Sequence, residues 1–190
     1  MVTSYGNSEV LKYYISGTYI GIFAADLNVP FSLLRIDGDT IAVATYDGVG
    51  FFDFEGNAST KYSTIEHDDG AYYLSLADDN GILFTDHLER VVKACLDNSC
   101  SQRTTIIMTA NADHHLLGIA AIPNSDEYLV IDFKLENIYK CSMSNYNDCG
   151  SSSWEQLPQD INFHPSDVVI IDSIVYVADF ALVNNNRLLR

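Results

Sequence analysis

Four of the five histidines, His67, His114, His115 and His164, fall in short polar segments with Asp68, Asp69, Asp113 and Asn162 beside them. Each segment ends where an apolar run begins. Imidazole and carboxylate together suit two kinds of chemistry: holding a divalent cation, or a general base with the group that orients it. The plainer alternative is that these are polar loop residues needed for turning. A second set is Asp86, Asp132 and Asp179, each closing an alternating apolar run. They read either as calcium-binding carboxylates or as strand-end aspartates that accept backbone N–H bonds from the following turn. The latter fits better, because one slot repeated around an array is spread too widely to bind a single ion. Trp154, the only tryptophan, is either a stacking platform for a sugar or a packing residue. No Gly-rich phosphate loop and no Gly-x-Ser-x-Gly elbow occurs, so no catalytic residue is named.

Cysteine spacing adds a further constraint. Cys95 and Cys100 form one close pair, Cys141 and Cys149 another, each across a loop rich in Asp, Asn, Ser and Gly. Neither has the Cys-x-x-Cys spacing of zinc ribbons or redox sites. Two local disulfides fit, implying an oxidising compartment and a secreted or cell-surface protein; four reduced thiols are the alternative. Asn57-Ala58-Ser59 is a glycosylation sequon at an expected hairpin tip. Met1-Val-Thr-Ser has neither a basic start nor an apolar h-region, so a targeting segment is expected outside this sequence.

The elements that must position these residues repeat. Ile174–Asp179 leads through a turn to Arg187-Leu188-Leu189, Tyr128–Asp132 to Asn137–Lys140, and Ile82–Asp86 to Arg90–Lys93. Ile41–Thr45 leads likewise to Gly50–Asp53, and Val2–Ser4 to Glu9–Lys12. A small or acidic residue (Ser4, Thr45, Asp86, Asp132, Asp179) is followed each time by an aromatic or histidine (Tyr5, Tyr46, His87, Phe133, Phe180). The step is roughly 40–50 residues, as in propeller blades. Four short strands per repeat, turn residues between them and no sustained i, i+3, i+4 apolar spacing predict an all-β chain of four-stranded antiparallel blades. The units run approximately 1–25 (partial), 26–66, 67–110, 111–160 and 161–190 (partial).

The segments Val177–Leu189 and Val10–Phe23 resemble the strand and turn pattern of NHL-type and related extracellular six-bladed β-propellers. Gly50, Ser4 and Thr45 depart from that pattern. The resemblance implies a disc whose loops meet near a central channel, where some relatives carry out metal-assisted lyase or lactone-hydrolase chemistry. It would place His67, His114, His115 and His164 at the channel mouth.

The repeat count holds the second and third strands of a blade five times, but the first and fourth only four. An incomplete or open part of a larger propeller is therefore expected, completed by its remaining blades or by other protein chains. A small closed ring donating a hairpin to a neighbour is the alternative.

Composition limits the partners. Ten basic and 26 acidic side chains give a formal charge of −16, which repels nucleic acid and anionic membrane faces. No apolar run approaches the roughly 18 residues needed for a membrane helix. The expectation is a non-enzymatic scaffold or a surface recognising protein or glycan, without a cofactor. A metal-dependent hydrolase or lyase using calcium or another divalent cation is the alternative.

Overall fold

The computed structural model describes residues 1–66, 70–77, 81–86, 91–95, 105–109, 114–144, 164–179 and 187–189, with main chain alone for 105–109 and 187–189. His67, Cys100, Cys149 and Trp154 lie outside the described residues.

Among the described residues, seventeen strands form five consecutive antiparallel sheets. The first holds β1 (Val2–Ser4), β2 (Glu9–Tyr13) and β3 (Tyr19–Ala24). The second holds β4 (Ser32–Arg35), β5 (Thr40–Thr45), β6 (Gly48–Asp53) and the short β7 (Ile65–Glu66). The third holds β8 (Leu74–Leu76), β9 (Ile82–Asp86), β10 (Val91–Cys95) and β11 (Thr105–Thr109). The fourth holds β12 (Leu116–Ala121), β13 (Glu127–Asp132) and β14 (Asn137–Ser142). The fifth holds β15 (Pro165–Ile171), β16 (Ile174–Asp179) and β17 (Arg187–Leu189). No α-helix occurs among the described residues. Each sheet is a meander, every strand paired with its sequence neighbour.

The sheets stack in series because the middle strands are apolar on both faces. On β5, Ile41 and Val43 pack with Val10 and Phe23 of the first sheet. The alternating Ala42 and Ala44 pack instead with Leu74, Ile82 and Phe84 of the third. On β9, Leu83 faces the fourth sheet. On β13, Tyr128 and Val130 join the third sheet, and Leu129 and Ile131 join Val168 and Val177 of the fifth. Since successive strand residues point to opposite faces, an uninterrupted apolar run is what a sheet covered on both sides needs. Each fully buried Leu, Ile or Phe contributes about 1.5–3 kcal/mol. A sandwich would bury one face per sheet; here one sheet meets two different neighbours.

The first strands β4, β8, β12 and β15 lie at one edge of the stack, with β8 packed on β4 and β12, and β12 on β15. This is the all-β propeller-type arrangement expected from the repeat. Among the described residues no buried cluster joins the first sheet to the fifth, so the stack is an arc.

Two strand ends have local causes. The fourth strand of the second sheet is confined to Ile65–Glu66. Lys61 and Tyr62 bind the carboxylate of Asp37, and the Tyr62 ring stacks on Phe51 at 5.2 Å, which draws the segment off the ladder. β2 ends at Tyr13, where Tyr14 and Gly17 close a turn through Gly17 N–H donating to Tyr14 O at 2.9 Å.

Candidate functional site

The repeated slot sits at the end of each second strand, on one rim of the stack. Asp132 is fully buried. Its Oδ1 accepts N–H bonds from Lys134 and Leu135 of the following turn, both at 3.1 Å, as the strand-end reading requires. It also accepts the His115 N–H at 3.1 Å, while Oδ2 meets Nδ1 of His114. Asp179 likewise takes the His164 N–H at 2.9 Å. The slot therefore fastens its own turn and also the lead-in to the blade's first strand. Thr45 does the lighter version, donating to Gly48 O at 3.2 Å and accepting from Asp47 N–H at 3.3 Å. Asp86 is buried beside Lys93, 3.3 Å away, and burial pulls the Lys93 ammonium down to about 8.

Pairing register decides which histidines are equivalent. Leu116 faces Asp132 and Pro165 faces Asp179, so His115 and His164, one residue earlier, occupy the same place. His114 is a step before it. In the second and third sheets Phe31 N–H donates to Ala44 O at 2.9 Å and Tyr72 N–H to Thr85 O at 3.0 Å, and the described lead-ins 28–31 and 70–73 hold no histidine. The expected equivalence of His67, His114, His115 and His164 thus holds for His115 and His164 alone among the described residues.

The described rings of His114 and His164 turn to different partners. His114 turns onto Asp132, its ring 5.9 Å from that of Tyr139. His164 reaches into the previous sheet, with Nδ1 2.9 Å from Glu136 Oε1 and its ring 6.0 Å from Phe133. Both rings therefore flank one turn, 132–137. Among the described residues no three His, Cys, Asp or Glu side chains are placed to hold a metal ion. The described histidines do not fit the implied divalent cation. A different chemistry remains open at His114: an imidazole whose Nδ1 is held by a buried carboxylate presents Nε2 as a base.

Cys95 and Cys141 are buried on β10 and β14, and no described cysteine is a free thiol. Asn57 is exposed at the β6–β7 tip, as expected of a sequon. Its amide donates to the Asp53 carboxylate at 3.0 Å, however, which is a sufficient structural reason for an asparagine there.

An aromatic group on the same rim was not foreseen. Phe31 stacks on Tyr72 with ring centroids 4.1 Å apart, and Tyr5 leans on Phe31 at 5.9 Å. Tyr5 is 67% exposed, and Tyr46 is also exposed. Burial raises the Tyr72 phenol pKa, with Tyr46, Tyr5 and Asp86 adding to the rise. The signal was present in the chain: an aromatic after the slot (Tyr5, Tyr46) and another leading into the first strand of the blade (Phe31, Tyr72).

One level further along the first strands stand Tyr73, Gly118 and Asp167. A Cβ on Gly118 would come within 2.6 Å of Asp167 Cα and 2.9 Å of its Oδ1, so β12 and β15 approach too closely for any side chain. Asp167 is open to water but ringed by protein. Burial raises its pKa against the opposing Val168 N–H bond at 2.8 Å. Tyr73 is raised by burial first and then by Asp167.

No family model and no curated protein matches the sequence. In fold the chain is similar to virginiamycin B lyase from Staphylococcus aureus, in a catalytically inactive form solved with quinupristin. The identity is 14%, with 98% of this chain and 64% of that one covered and a TM-score of 0.69. A gluconolactonase from Xanthomonas campestris gives 14% identity, 93% and 64% coverage and a TM-score of 0.70. A computationally designed protein gives 9%, 85%, 91% and 0.55. The chain spans just under two thirds of the length of the two natural enzymes. What these likenesses establish is the fold, a β-propeller-like arrangement of sheets.

Proposed function

We propose that this arc is a recognition module of a larger assembly, taking a carbohydrate ring on the rim where Tyr5, Phe31 and Tyr72 meet. The observation that carries the reading is the aromatic run itself, which presents flat apolar rings edged by phenol hydroxyls. Such rings pair an apolar surface with a wet polar handle, the combination that a pyranose with one C–H face and a hydroxyl rim requires. The module's place outside the cell rests on the cysteine spacing. A disulfide at each of Cys95–Cys100 and Cys141–Cys149 would staple two loops, and intact mass would fall by about 4 Da relative to the reduced chain, at about 2 Da per disulfide formed.

The test is a glycan array read with the wild-type chain and a Tyr5→Ala/Tyr72→Ala double variant of unchanged circular dichroism. Binding to a sugar class that drops at least about tenfold in the variant, about 1.4 kcal/mol, supports the reading. No glycan bound by either protein rejects it.

A second reading is an enzyme of the hydrolase or lyase kind, favoured by the His114–Asp132 pair and by the names of the two natural neighbours in fold. His114 would act as general base through Nε2, with Asp132 orienting it, in the manner of an imidazole–carboxylate pair. Turnover of lactone or cyclic depsipeptide esters that His114→Gln abolishes, with stability kept, would favour this reading over the first.

A further inference from the structure

The two end sheets each bury one face and leave the other open. On the first sheet Val2, Leu11 and Ile22 form one row across the strands, with Tyr13 paired to Tyr19 in the next. Val2 and Ile22 are each 53% exposed, whereas Val10 on the opposite face is fully buried. On the fifth sheet Val169 pairs with Tyr176 and Ile171 with Ile174. Val169 is 47% and Ile171 53% exposed, while Val168 and Val177 are buried against the fourth sheet. Both open faces thus carry the both-sides-apolar pattern of β5, β9 and β13, whose two faces are each covered by a neighbouring sheet. An end sheet meant to face water would alternate apolar and polar residues.

The geometry points to an occupant: a wedge of about two further propeller blades, presenting one apolar sheet face to Val2, Leu11 and Ile22 and another to Val169 and Ile171. Its size follows from the comparisons. The seventeen strands among the described residues are a little over four four-stranded blades, and the chain covers 64% of the lyase and of the gluconolactonase. A whole ring on that scale has about six to seven blades, within the usual range of four to eight. A second copy of this arc fits less well. Two arcs of nearly two thirds of a turn overshoot a ring, so a head-to-tail contact would run on as an open chain.

The experiment compares the 190-residue chain with a version carrying a second copy of residues 26–110, its two four-stranded sheets, after Arg190. The 190-residue chain is expected to bind an anilinonaphthalene dye and to associate as concentration rises, by light scattering. The extended chain is expected to be monomeric, with dye fluorescence down about fivefold. Ile22→Glu and Val169→Glu in the 190-residue chain test the faces without the added sheets. Each should at least halve dye binding and weaken association while strand content is unchanged. The inference is overturned by any of three results. One is a monodisperse monomer that binds no dye. Another is a closed oligomer of copies that withstands both glutamates. The last is dye binding and association unchanged by either glutamate or by the extension.

Discussion

The carboxylate of Asp132 holds the main-chain N–H of His115, 17 positions earlier in the chain, at 3.1 Å. Asp179 repeats the bond with His164 at 2.9 Å, 15 positions earlier. One buried side chain thereby fixes two segments of the same rim, the turn that follows it and the lead-in that precedes the blade. Asp132→Ala should therefore cost about 2–3 kcal/mol in urea unfolding, because three N–H groups lose one fully buried acceptor together. Asp132→Asn, which keeps an acceptor, should cost less, and His114→Ala about 1 kcal/mol or less.

The crossing of β12 and β15 is equally specific. Gly118→Ala places a methyl where Asp167 Cα already stands, and the strands must part to admit it. A loss of about 1–3 kcal/mol is expected from such overpacking. Gly38→Ala, with open space around it, is the control and should stay within about 0.5 kcal/mol.

Lys93 and Asp86 form a buried ion pair on adjacent strands. Removing either partner, by Asp86→Ala or by Lys93→Met, strands the other buried charge and should cost about 3–5 kcal/mol, whereas replacing both together with apolar residues should cost much less. The pH dependence has a definite sign. Burial brings the Lys93 ammonium down to about 8, below its unfolded value of about 10.4. Folding therefore disfavours its protonated form, and wild type should gain stability relative to Lys93→Met as pH rises from about 8 to about 10.4.

At acid pH the sensitive group is Asp37. Its side chain binds Lys61 foremost and then the Asp39 N–H, which holds its pKa well below the usual carboxylate range. A carboxylate lowered by folding contributes stability above its unfolded value of about 3.9 and loses it as pH falls below that value. Asp37→Asn should thus lower the melting temperature at pH 7, and the gap from wild type should close as pH drops below about 4.

Much of the architecture could be read from spacing alone. The five slots Ser4, Thr45, Asp86, Asp132 and Asp179 mark the ends of β1, β5, β9, β13 and β16. Their aspartates were legible because a strand-end carboxylate answers a local need, the N–H groups of the next turn. What spacing could not show depends on register. An extra residue interrupts β12 between Leu116 and Ile119, and another interrupts β15 between Pro165 and Asp167. These irregularities set which side chain meets which neighbour. That is why His114 turns to Asp132 but His164 to Glu136, and why Asp167 comes to lie over Gly118. The Tyr5–Phe31–Tyr72 stack spans three sheets, so no single repeat contains it.

Native-state hydrogen exchange of the 190-residue chain bears most directly on sheets arranged in series, each middle one sheltered by two neighbours. The amides of Val43, Leu83, Phe84 and Val130 should exchange slowest, and those of β1–β3 and β15–β16 at least about tenfold faster, since local opening follows packing. Equal protection in β2, β9 and β16, as two facing layers would give, would contradict the arc.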